Sequence, residues 1–259
     1  MVLGAIALAA GCSDSGAEPP AAVPDPTPEV PVVTLVFECF GECGALQPPA
    51  LPSVAVYPDG TTVTAQFEDG NQLTVRRGTV SPETVGDLRD LAQAAELEGD
   101  GVLPELRIPD DIGIADGGGS VFSLRSGADV ATRNVPHLYE ESDFNSDGLR
   151  AKYLRLQKAL LVLPAGEPWE WSQEALLVEP LGRVPLAAVP EWEGPDFRQQ
   201  LADTDLGPCA LIASLGPLTA DATFERQYSL GDEAWTVVRR PLMPHEESCS
   251  DVDDFSRDR

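Results

Sequence analysis

Ser53-Val54-Ala55-Val56-Tyr57-Pro58-Asp59-Gly60-Thr61-Thr62-Val63-Thr64-Ala65-Gln66-Phe67-Glu68-Asp69-Gly70-Asn71-Gln72-Leu73-Thr74-Val75-Arg76 is the stretch that decides the fold class. Its β-branched and aromatic runs over 53–57, 61–67 and 72–76 are separated by Pro-Asp-Gly and Glu-Asp-Gly-Asn, which are turn-forming strings. Short turns between such runs predict an antiparallel meander. A fourth β-rich run, Val32-Val33-Thr34-Leu35-Val36-Phe37, opens the body of the chain just upstream.

Working downstream, Ser81-Pro82-Glu83 carries an N-cap, a proline at the first helical position and an acid in the first turn. Val85, Leu88, Leu91, Ala92 and Ala95 then make one apolar stripe, so a helix is predicted that ends near Glu98-Gly99. Residues 120–125 and 129–134 read as a hairpin around Ser126-Gly127. A second helix is predicted from Gly148 to Leu163, with Leu149, Tyr153, Leu156, Leu160 and Leu163 spaced by four, three, four and three. Gly117-Gly118-Gly119-Ser120 precedes a strand and has no following Lys, so it reads as a loop and not a phosphate cradle. Further strands are expected near 175–178, 209–213 and 235–239, with a short helix near 196–202. Runs of strands with helices between them predict an α+β fold with antiparallel sheet and two main helices. The expected body covers 32–249 as one unit, divisible into 32–164 and 165–249, with an acidic tail at 250–259.

Upstream of the body the chain changes character. Ala17 to Pro31 holds prolines at 19, 20, 24, 26, 28 and 31, which favour extended polyproline II. Residues 12–31 therefore read as a tether; at about 3.1 Å per residue it reaches roughly 60 Å. Before it, Leu8-Ala9-Ala10-Gly11-Cys12 follows an apolar start and resembles a bacterial lipobox, which implies cleavage ahead of Cys12 and a diacylglyceryl anchor on its sulfur. Residues 1–11 then form a shortened signal peptide. No basic n-region precedes the apolar stretch, so a true start upstream of Met1 is expected. About ten apolar residues fall short of the roughly 20 that span a bilayer, so anchoring and not spanning is expected.

With 43 acidic and 17 basic residues the net charge is −26. No basic cluster is available for phosphates, which excludes nucleic acid as a natural partner. Such acidity also disfavours contact with an anionic bilayer surface, and a long tether removes the body from it.

Cys39-Phe40-Gly41-Glu42-Cys43, Val54-Ala55-Val56-Tyr57 and Asp59-Gly60, followed by the helix at Ser81, resemble a bacterial domain family of unknown function. That family carries Cys-Phe-Gly-x-Cys-Pro before a Tyr-bearing strand and an Asp-Gly turn. Here Gly44 stands in place of the proline, and Ala45 to Pro52 are inserted. The run Thr236-Val237-Val238-Arg239-Arg240-Pro241-Leu242-Met243-Pro244 with a later cysteine is similar to actinobacterial lipoproteins of unknown activity. The resemblance implies an extracytoplasmic compartment, on a cell membrane or, in a diderm host, the outer membrane.

Once Cys12 is set aside, four of the five cysteines remain. They allow three pairings; proximity and the family pattern favour Cys39–Cys43 and Cys209–Cys249. A zinc site lacks the paired short spacings, and Glu38 and Glu42 oppose a redox-active thiolate at Cys39 or Cys43. Asp143, Asn145 and Asp147 match the first half of a calcium loop, but its twelfth position is Leu154. Two readings follow there. One is weak, millimolar calcium binding helped by Glu140 or Glu141; the other is Asp147 or Ser146 capping the second helix, with Asp143 in an Asx turn.

Only two histidines are present, His137 and His245, which argues against a His-based triad or a multi-His metal site. Neither G-x-S-x-G nor H-E-x-x-H occurs. Trp169 and Trp171 stand at alternate positions beside acids; they suit either coverage of the core from one face of a strand or contact with a ligand, a glycan or an envelope protein. The function expected is a non-catalytic binding or structural module of the envelope, without cofactor. A weak calcium-binding lipoprotein and an envelope hydrolase with paired carboxylates are the alternatives.

Overall fold

The structure is a computed structural model that describes residues 29–39, 51–68, 72–97, 101–102, 118–136, 138, 148–181, 186, 189–204, 207–219 and 226–252. Its fold is α+β, with two β-sheets and two helices among these residues. The meander forms as the turn strings require: β1 (Val33–Cys39), β2 (Val54–Val56), β3 (Thr61–Glu68) and β4 (Gln72–Thr79). At the Asp-Gly turn, the Asp59 carboxylate accepts from the Thr61 amide at 2.8 Å and its hydroxyl at 3.0 Å. Gly60 there has φ +88°, a conformation that a side chain disfavours.

Helix α1 (Pro82–Ala94) starts where the cap signals place it, with the Ser81 hydroxyl accepting from the Thr84 amide at 3.2 Å. It stops before the predicted Glu98-Gly99. Glu96 takes φ +59°, Leu97 N–H donates to the Ala92 carbonyl, and Glu96 N–H donates to that of Gln93. This is a Schellman closure with glutamate in the position glycine usually fills, and Leu97 is buried beside it. Strands β5 (Gly101–Val102), β6 (Gly118–Ser126) and β7 (Asp129–Pro136) follow. Gly118 and Gly119, expected in a loop, instead pair with Cys39 and Glu38 as the first residues of β6, ahead of the strand expected from Ser120. Helix α2 (Gly148–Leu161) comes next, then the two-residue β8 (Glu167–Pro168).

These strands make one sheet in the order β5-β7-β6-β1-β2-β3-β4-β8, antiparallel except for β5 with β7. β1 runs through its interior, paired with β2 on one side and along seven residues with β6 on the other. Hence the nearly continuous apolar run: Val33 and Leu35 meet the helices, while Val36 faces the opposite core. Tyr153, Leu156 and Leu160 of α2 are buried with Val85, Leu88 and Ala92 of α1 against the first face. Two polar residues join them unannounced by the apolar stripe. Arg150 donates to the Pro136 carbonyl at 2.6 Å, and Gln157 accepts from the Ser120 hydroxyl at 3.5 Å.

The second sheet holds β9 (Gln173–Leu181), β10 (Ala202–Thr204), β11 (Gly207–Ala213), β12 (Arg226–Leu230) and β13 (Glu233–Pro241) in the order β10-β11-β9-β13-β12. The helix expected near 196–202 is a single 3₁₀ turn at Arg198–Gln200. Leu176, Val178, Ala210, Ile212, Trp235 and Val237 point to one face, where Trp192 and Phe197 cover them. Ala175 and Cys209 point to the other, where Leu242, Cys249 and Val252 cover them. Cys209 and Cys249 are disulfide-bonded, with Cα atoms 5.8 Å apart. Ser250 to Val252, within the segment read as a tail, belong to this covering turn.

The two sheets share a core. Leu218 and Met243, from the second half of the chain, are buried among Ala55, Tyr57, Val63 and Val75 of the first sheet. Tyr57, fully buried, hydrogen-bonds His245 Nδ1 through its hydroxyl at 3.0 Å. Behind that contact Arg240 and Glu246 form an ion pair, both side chains completely buried.

Candidate functional site

Strand β4 lies near the rim of the first sheet, and two segments reach its outer edge from different directions. On one side Gly166 turns the chain into β8, so close to β4 that a Cβ there would overlap the Arg77 carbonyl. Trp169 N–H then donates to the Val75 carbonyl at 2.8 Å. On the other side, Leu73 N–H donates to the Leu218 carbonyl at 2.7 Å. Between these attachments a cleft of about 620 Å³ opens. Its floor is Leu73 to Arg76, one wall is Pro168 to Trp171, and the other is Ser214, Gly216 and Pro217, with Glu68 and Gln72 at the end.

Both walls are fixed from below by one carboxylate. Glu174, at the start of β9, is fully buried. It accepts from Trp171 Nε1 at 3.2 Å on the first wall, and from the Ser214 hydroxyl at 2.8 Å and the Leu215 amide at 3.3 Å on the second. Arg239 of β13 neutralises it in a two-pronged contact, Nε at 2.9 Å and Nη2 at 3.1 Å. Removal of Arg239 alone would strip this buried carboxylate of its cationic partner, at a cost of about 3–5 kcal/mol. The result is a recess whose aromatic wall is held in position before anything enters.

At the open end Arg76 Nη2 pairs with Glu68 at 3.0 Å, and Gln66 donates to the same oxygen at 3.2 Å. The Arg76 hydrogen bond, followed by that of Gln66, holds the Glu68 carboxyl below its ordinary value. Glu68 is thus an anionic acceptor, the opposite of what a proton-donating acid requires. Glu170 adds a second, exposed carboxylate on the Trp wall.

Of the residues singled out in sequence, Trp169 and Trp171 line the cleft, and both also pack on the shared core beneath it. They do not share a strand face, because β8 ends at Pro168 and the chain is irregular until β9. Cys209 and Cys249 are brought together and bonded. The backbone of Cys39 closes β1 opposite Gly118. Cys12, Cys43, Asp143, Asn145, Asp147 and His137 lie outside the described residues. Among the described residues no three His, Cys, Asp or Glu side chains gather as metal ligands. Sequence reading passed over Glu68, Arg76, Ser214, Glu174 and Arg239. A charged pair eight residues apart, on either side of the turn string read in the sequence, was the one local cue, for Arg76 with Glu68. Glu174 had none, since its partners stand 40 and 65 residues away in the chain. Comparison of the chain with protein-family models, with curated proteins and with solved structures finds no match.

Proposed function

We propose that the chain is a bacterial envelope lipoprotein, held to a membrane through Cys12, whose body is a non-catalytic module that binds a partner in the Trp169–Trp171 cleft. The observation that carries the binding part is the cleft itself, with an aromatic wall fixed through Glu174 and an acidic rim. The Arg76 hydrogen bond lowers the Glu68 carboxyl, away from the raised value a proton-donating acid needs. That favours binding over the hydrolase reading. The compartment rests on the lipobox-like Leu8 to Cys12, the proline-rich tether and the resemblance at 39–60. The Cys209–Cys249 disulfide accords with an oxidising location.

Two experiments test the halves separately. Cys12→Ser should abolish incorporation of labelled acyl chains and release the protein from the membrane fraction; unchanged membrane retention refutes the anchor. For the cleft, Trp169→Ala should abolish capture of envelope components that the wild-type chain enriches; its melting temperature falls, since Trp169 also packs on the core, but the variant stays folded at the assay temperature. Equal enrichment by both proteins would move binding away from this site.

A further inference from the structure

Backbone groups in an antiparallel ladder alternate direction. Thr74 and Arg76, opposite Gln66 and Thr64, turn theirs toward β3, so Leu73 and Val75 turn theirs outward to the cleft. Four polar groups therefore face it. The Leu73 N–H is taken by Leu218 and the Val75 carbonyl by Trp169. The other two, the Leu73 carbonyl and the Val75 N–H, have no partner among the described residues. Both residues are only 2% exposed. Backbone groups so enclosed are nearly always bonded, and leaving one unmet costs about 1–3 kcal/mol.

The orphans form a pattern. An acceptor on Leu73 and a donor on Val75 flank Thr74, and a parallel neighbouring strand uses such a pair: one of its residues donates to the first and accepts from the second. Antiparallel addition needs both groups of a single β4 residue, and Trp169 and Leu218 have each occupied one of them. The trans amide of an N-acetyl sugar points its N–H and C=O in opposite directions, so one such group cannot satisfy both. A peptide residue in extended conformation presents them on the same side. The charge around the cleft adds a sign. Arg76 is engaged by Glu68, Glu170 is exposed, and the whole chain carries −26, so a cationic ligand is favoured.

We infer that the cleft takes an extended, basic peptide segment of a partner protein, laid parallel to β4 with one residue opposite Thr74. This rests on the binding reading above and specifies its occupant. The test uses the full chain, ¹⁵N-labelled, and a pool of acetylated and amidated hexapeptides with alternating lysine and aliphatic residues. The pool should quench tryptophan fluorescence and slow exchange of the Val75 amide by at least about tenfold, with the already paired Thr74 and Arg76 amides unchanged. Glu170→Lys should weaken that binding by about fivefold. Quenching without protection of Val75 overturns strand addition and leaves the cleft as a binding site. Quenching by an N-acetylglucosamine tetramer but not by the peptides overturns the choice of occupant and again leaves the site. No response to either probe overturns both.

Discussion

One face of the eight-stranded sheet is roofed by α1 and α2, whose stripes of Val85, Leu88, Tyr153, Leu156 and Leu160 meet alternating residues of β1, β2 and β6. Among the described residues the five-stranded sheet has no helical roof. Trp192 and Phe197, from irregular chain, cover one side, and the disulfide-tied segment from Leu242 to Val252 covers the other. In the first region periodic elements bury periodic faces. In the second, aromatic side chains and one covalent bond do what a helix does elsewhere. The contrast teaches that comparable burial is reached with very different dependence on the covalent link. Edge-on ring contacts, Trp192 with Phe197 and Phe197 with Trp235 at centroid distances of 5.8 and 5.5 Å, supply specificity that an aliphatic stripe lacks.

Cutting the bond gives the largest expected effect. Replacing Cys209 and Cys249 together by Ala should lower stability by about 4 kcal/mol, the chain-entropy value for a loop of this length. Hydrogen exchange should accelerate in β9 and β11 well before it does in β1 and β6. Uniform acceleration in both sheets would break the comparison. Next comes the helical roof, where Leu156→Ala should cost about 3 kcal/mol and loosen α1 and α2 while the second sheet keeps its protection. Denaturant titration followed by residue-resolved exchange checks both.

Smaller effects sharpen the picture at the element ends. Glu96→Gly relieves a left-handed backbone conformation and should stabilise the helix side by about 1 kcal/mol; the exposed Lys152–Glu96 pair lost with it contributes little. The smallest effect belongs to the disulfide-tied turn, where Asp251 accepts from the Ser248 hydroxyl at 2.7 Å and its amide at 2.8 Å. These bonds, with the Ser248 hydroxyl foremost, lower the Asp251 carboxyl. Its contribution is therefore complete above the ordinary carboxylate value of about 4 and fades as pH falls through the lower, folded value. Asp251→Asn should flatten the acid limb of the stability curve slightly; an unchanged limb would remove Asp251 from the account.

The same contrast explains what could be read in the sequence. The meander, α1, α2 and the 118–136 hairpin were legible because turn strings and apolar periods are local. Strand β12 (Arg-Gln-Tyr-Ser-Leu) was not, since it is a half-exposed edge whose pairing comes from β13. Strands β8 and β10 are too short to carry a period and exist through their partners. At the site, two tryptophans flanked by acids stood out, whereas the orphaned groups of Leu73 and Val75 belong to main chain that every residue possesses. That they face the cleft unpaired follows from where Trp169 and Leu218 attach, and that is a property of tertiary structure alone.

The place of β1 has a mechanical consequence. Chain arriving from upstream enters the fold at Val33, inside the larger sheet, with a seven-residue ladder to β6 on one flank and β2 on the other. Tension applied along that incoming segment loads those ladders lengthwise, so many hydrogen bonds must yield together instead of one after another. A body tugged from its N-terminal side is gripped by its most deeply embedded strand, while the cleft beside β4 sits three strands away from the line of force.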